Sequence, residues 1–84
     1  MYTHIAISRH LSVDGTTTFY VIEKSKNSSS IIWNGTCKQA AYQVAYRNAR
    51  KENTPLYDTL YKAEVDRNGV KHIIPVGNEL LEVN

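Results

Sequence analysis

One stretch of this sequence repeats every three to four residues, and nearly everything around it repeats every two. Cys37, Ala40, Ala41, Val44, Ala45 and Ala49 fall on one arc of a helical wheel, and Thr36 followed by Gln39 reads as a capping-box pair at its start. The spacing predicts a single helix with Cys37 at its first position. It should end near Asn53, because Pro55 disfavours helical geometry at Thr54 and has no amide for the next backbone bond. A face made mostly of alanine lets the helix backbone lie close to a sheet, whose larger side chains must then supply most of the core volume.

The flanking segments carry the strand period. Ile5, Ile7, Leu11 and Val13 alternate with His4, Ala6, Ser8 and His10, a half-buried strand broken on its apolar side by Arg9. Asp14-Gly15 supplies the positive-φ residues of a tight turn, and Thr16 to Lys24 is dense in β-branched and aromatic side chains. After the polar loop Asn27 to Ser30, Ile31-Ile32-Trp33 suits a third strand ending at Asn34-Gly35. Beyond the helix, Tyr57, Tyr61, Ala63 and Val65 share a parity, Asn68-Gly69 signals a second hairpin, and Val70, His72, Ile74 and Val76 form the returning strand. Pro75 makes that strand an edge or its end, and Gly77-Asn78 should break it before a tail, Glu79 to Asn84, that docks or frays. The expected architecture is α+β: a single antiparallel β-sheet of about five strands with one helix packed on one face, in the order β-β-β-α-β-β. The opposite face of the sheet is left without a helix to cover it.

Size and composition remove several function classes. Eighty-four residues support one domain, spanning 1–84. Ten Lys/Arg against eight Asp/Glu give a net charge of +2, short of the balance expected if nucleic-acid affinity rested on overall charge. No apolar run long enough to span a membrane and no secretory signal is present, so the expected location is the cytoplasm and no membrane partner is expected. The lone Cys37 forms no internal disulfide and no cysteine-pair zinc site. At a helix start its thiolate would be stabilised, but no histidine lies near it in sequence to act as base, and a cysteine on an apolar arc suits a small core residue. His4 and His10 lie about 20 Å apart along a strand, too far to share one ion. No Gly-rich phosphate loop, Ser/His/Asp order or metalloprotease helix occurs. The chain therefore reads as a non-enzyme, with no cofactor and no metal.

Charge placement is more informative than its total. Residues 1–51 carry a net +5 and residues 52–84 a net −3. On the helix, Gln39, Gln43, Arg47 and Arg50 occupy the arc opposite the alanines, with Tyr46 beside them and Lys38 and Lys51 near the two flanks. Six tyrosines offer aromatic bodies with polar tips, good interface anchors next to arginines. The expected partner-binding residues are Tyr42, Tyr46, Arg47 and Arg50 on the helix, with Trp33 and Tyr61 as further aromatic anchors.

Two resemblances extend this reading. The segment Cys37-Lys38-Gln39-Ala40-Ala41-Tyr42-Gln43-Val44-Ala45 resembles the last helix of double-stranded RNA-binding domains, which carries lysines at its start followed by paired alanines. Here only Lys38 stands for the lysine cluster, the usual first helix is missing, and more than thirty residues follow the helix. The whole layout, a lone Ala-rich helix on a sheet with two tight hairpins, is similar to small phage or mobile-element host-inhibitor proteins of the anti-CRISPR kind. That resemblance implies a phage-encoded, non-enzymatic inhibitor in the host cytoplasm. It would block a host defence or nucleic-acid-processing complex by binding it stoichiometrically. The alternative is a small nucleic-acid-binding module using the basic helix face. A homodimer joined through the unpaired last edge and Leu80-Leu81 is a further expectation.

Overall fold

The computed structural model describes residues 2–83. Five strands and one helix follow in the order β1 (Tyr2–Leu11), β2 (Thr17–Ser25), β3 (Ser29–Gly35), α1 (Lys38–Glu52), β4 (Leu56–Val65) and β5 (Lys71–Leu81). They build one sheet with the spatial order β3-β2-β1-β4-β5. The expected β-β-β-α-β-β order and the single helix are both present, but the sheet is mixed rather than antiparallel, because β4 runs parallel to β1. The reason is the crossover. Two hairpin steps leave β3 parallel to β1, and a helix returning over the sheet restores that direction, so β4 enters parallel beside β1.

Helix α1 meets the sheet through Ala41, Ala45 and Ala49, spaced every four residues and fully buried against Ile5, Ile7, Phe19, Val21 and Leu56. Burying each of the large aliphatics among these contributes about 1.5–3 kcal/mol relative to exposure. At the N-terminus the expected capping box does not form: Cys37 is the extended N-cap residue, without a side-chain capping bond, and Lys38 is the first helical residue. Cys37 is accordingly exposed rather than a core residue. The C-terminus falls where Pro55 requires it. Asn53 takes a left-handed conformation at φ 53°, and the amides of Asn53 and Thr54 donate to the carbonyls of Arg50 and Ala49 at 3.3 and 3.0 Å.

Both hairpins turn in the same way. Gly15 and Gly69 adopt φ of 92° and 79°, and among the described residues Asn53 is the only non-glycine with positive φ. Asp14 and Asn68 therefore do not share the left-handed geometry expected of the first pair, and each turn closes as a type I turn followed by a left-handed glycine. Ser12 and Thr16 close the first and Asp66 and Val70 the second, with amide-to-carbonyl distances of 2.9 and 3.0 Å. Strand β5 also departs from expectation, running through Pro75 and Gly77 as far as Leu81. A bulge makes this workable: Leu60 opposes Gly77 and Tyr61 opposes Pro75, leaving Val76 as an extra residue beside the proline on an edge strand. The tail segment thereby docks, and Leu81 lies opposite Leu56 and packs on the core.

Candidate functional site

The helix side of the sheet holds a buried polar network. Arg9 Nε donates to Asp58 Oδ1 at 2.8 Å and Tyr42 Oη donates to Asp58 Oδ2 at 2.5 Å. Asp58 is buried, so the two donors supply what water cannot. This pairing explains why a cation interrupts the apolar parity of β1. Burial, and then the bond to the Asp58 carboxylate, push the Tyr42 hydroxyl up to about 12, which keeps it protonated and donating.

That network divides the residues expected to bind a partner. Tyr42 points at Asp58, and Trp33 packs on the core and lies against the backbone of Gly35, on the helix side. Tyr46 is half-buried against the core, with the Arg50 guanidinium 5.9 Å from its ring centroid. Arg47 and Arg50 are exposed on the outer helix surface. Tyr61 belongs to the opposite face of the sheet, opposite Pro75 and next to His10. The six residues therefore do not form one surface. The helix contributes exposed arginines without exposed aromatics, and the aromatics gather elsewhere.

They gather on the open sheet face. The register places His4, Ala6, Ser8 and His10 of β1 beside Lys24, Ile22, Tyr20 and Thr18 of β2 and beside Tyr57, Thr59 and Tyr61 of β4. Ala6 and Ser8 are small and form the floor of a trough, with larger rings rising on both sides. His10 stacks on Tyr61 at 4.9 Å and 17°, while Tyr20 meets His10 edge-on at 5.0 Å. Tyr57 meets His4 edge-on at 5.2 Å. Two concavities result. One, of about 230 Å³, is bounded by His10, Tyr20, Tyr61, Lys71 and Ile73, and the other, of about 400 Å³, by His4, Ala6, Ser8, Lys24 and Tyr57. Burial, helped at His4 by the Lys24 charge, holds both histidines below the usual imidazole value, so they are neutral at pH 7.

The face has one further property. Among the described residues it carries no carboxylate: the acidic side chains lie in turns, on α1, on the helix side of the sheet or beyond β5. Its two ammonium groups, Lys24 beside His4 and Lys71 beside Val65, stand at opposite ends. Exposed aliphatics surround the rings, with Ile31 at 57%, Ile73 at 58% and Leu80 at 61% exposure.

Comparison with known proteins finds no family model, no curated protein and no solved structure that matches this chain. Among the described residues no cluster of three or more His, Cys, Asp or Glu gathers in metal-binding fashion. Among the described residues no helix is long and apolar enough to cross a membrane. Sequence reasoning picked out Tyr61 on the open face and missed His4, His10, Tyr20 and Tyr57 as its companions. Strand parity carried part of that signal: His4 and His10 share a parity, as do Tyr57 and Tyr61. That the two sets are neighbours follows only from the parallel β1–β4 pairing.

Proposed function

We propose that this chain is a non-enzymatic binding protein that docks the open face of its sheet against a larger protein. The observation that carries this reading is a face rich in aromatic and aliphatic side chains, free of carboxylates, with charge only at its ends. Depletion of charge at the centre, enrichment in tyrosine and a polar rim are the anatomy of a protein interface. The molecule spans 44 by 28 Å in its two longer directions, large enough for one face to supply the roughly 800 Å² per partner buried in standard complexes.

The chemistry of the face also selects among occupants. Its two lysines, at opposite ends, are few for a phosphate backbone. A second copy would oppose lysine with lysine. The occupant that fits is a protein with an apolar centre and an acidic rim, whose side chains enter the trough above Ala6 and Ser8. The resemblance to small phage-encoded inhibitors of the anti-CRISPR kind supplies the mode of action: stoichiometric occupation of a surface that a host complex needs.

The test introduces carboxylates where the face has none. Ile73→Glu/Leu80→Glu changes two exposed residues and leaves the core alone. A protein retained stoichiometrically by the immobilised chain after nuclease treatment should be lost with this variant. Equal retention by variant and wild type would refute the assignment.

A further inference from the structure

We propose that the smaller concavity of the open face is an anion site for one side chain of the docked protein: a carboxylate on an apolar stem, Glu or Asp beside an apolar neighbour, held by Lys71. This inference rests on the docking reading above and names what the partner brings to that face. The cavity holds about 230 Å³, room for a single large side chain, and residues of four strands line it. Its wall is already set: His10 stacks on Tyr61 at 4.9 Å and meets Tyr20 edge-on at 5.0 Å, so an occupant has little ordering left to impose. Ile73 and Ala63 give the cavity an apolar side, and Ile73 remains 58% exposed.

The polar groups of the cavity suit an anion. Lys71 brings an ammonium group, Thr18, Tyr20 and Tyr61 bring hydroxyls, and no carboxylate lines it. Lys71 is not neutralised from nearby: among the described residues the ion pairs are Arg9–Asp58 and His72–Asp66. The carboxylates at this end of the molecule are engaged or averted. Asp14 accepts from the Ser12 hydroxyl and the Thr16 amide, Asp66 accepts from the amides of Asn68 and Val70 and pairs with His72, and Glu64 alternates to the other face of β4. A lysine on an edge strand discourages pairing with another chain, but that purpose needs no cavity and leaves the hydroxyls beside the charge without a use. A carboxylate uses both, through charge-assisted hydrogen bonds. One cation matches one negative charge, which favours a carboxylate over a phosphate dianion and rejects a lysine or arginine of the partner. The concavity at the Lys24 end, about 400 Å³, is too broad for one side chain, and Thr59 and Asn78 there hydrogen-bond each other at 2.8 Å.

The experiment is an NMR titration of the isotopically labelled full chain with hydrocinnamate, a carboxylate on a phenylethyl stem, and with its neutral isostere hydrocinnamide. For a fragment of this size the expected Kd is about 1–10 mM, with shifts centred on Thr18, Tyr20, Tyr61 and Lys71. Lys71→Gln should weaken hydrocinnamate about 3–5-fold, the upper range for one exposed ion pair, leave the weaker hydrocinnamide unchanged, and be rescued by Lys71→Arg. Lys71 is exposed on an edge strand, so these variants keep the fold. The proposal is overturned if hydrocinnamate gives no shifts at about 50 mM, if the amide binds as tightly, if Lys71→Gln has no effect, if the shifts centre on His4 and Tyr57, or if phenyl phosphate binds more tightly. The titration needs no partner protein, so the two readings fail separately. A complex lost with Ile73→Glu/Leu80→Glu beside a chain that ignores hydrocinnamate refutes the anion site alone. Hydrocinnamate binding beside a complex indifferent to that variant upholds the site and refutes the docking reading.

Discussion

Replacing Arg9 by methionine should be among the most damaging single changes outside the apolar core. The substitution keeps the length and apolar stem of the side chain and removes the group that donates to Asp58 at 2.8 Å. Asp58 has a side chain only 7% exposed and would keep Tyr42 as its single partner. Stripping one partner from a fully buried ion pair costs about 3–5 kcal/mol. Arg9 is itself 31% exposed, so water can enter where the guanidinium was, and the expected loss is smaller, about 2–3 kcal/mol. In an 84-residue domain that lowers the melting temperature by roughly 10–20 °C. Urea unfolding followed through Trp33, the only tryptophan and a half-buried one, reads the change directly. The double variant Arg9→Met/Asp58→Leu removes the charge together with its partner and should recover part of the loss, with a coupling of about 1–3 kcal/mol. A cost below about 0.5 kcal/mol for Arg9→Met, or strict additivity in the double variant, would refute the reading of this network.

Tyr42→Phe removes the second donor to Asp58 and should cost about 1–2 kcal/mol, as expected for a hydrogen bond to a charged group. Because the Tyr42 hydroxyl is raised from 10 to about 12 in the folded state, its contribution is complete below pH 10 and lost as pH rises toward 12; phenolate absorbance should show one late transition that Tyr42→Phe abolishes. His4 and His10 are held below 6.5 when folded, so the unfolded chain takes up protons first and stability falls as pH drops from 6.5 toward their folded values. Urea midpoints at pH 7.5 and 5.5 should show that decline, and His4→Gln/His10→Gln should flatten it. The Asp14 and Asp66 carboxylates, both lowered from 3.8, titrate below this window and do not confuse it.

Local signals were legible where the physics is local. The end of α1 near Asn53 follows from Pro55, and both hairpins follow from a glycine placed where only a left-handed residue closes the turn. Arg9 announced itself as an interruption of parity. Its partner Asp58 lies 49 residues away on a strand whose neighbour depends on the crossover, so no local period could name it. The same holds for the parallel β1–β4 pairing and for the open face, whose aromatic cluster is assembled from three strands. The bond from Tyr42 to Asp58 was hidden for a related reason: a helix-flank position does not say whether the side chain leans to solvent or toward a carboxylate on the sheet. At β5 the turn-forming pair Gly77-Asn78 suggested a break, but a bulge at Val76 and pairing along β4 carry the strand onward.

The most direct test of the account is a binding titration of the purified chain against the protein it retains from nuclease-treated lysate, comparing two double variants on opposite faces. Ile73→Glu/Leu80→Glu should weaken that complex at least 30-fold, the scale of losing about 2 kcal/mol at an interface hot spot, while Arg47→Glu/Arg50→Glu leaves it within about twofold. A complex lost through the helix variant and indifferent to carboxylates on the sheet face would contradict the assignment of the open face as the protein-docking surface.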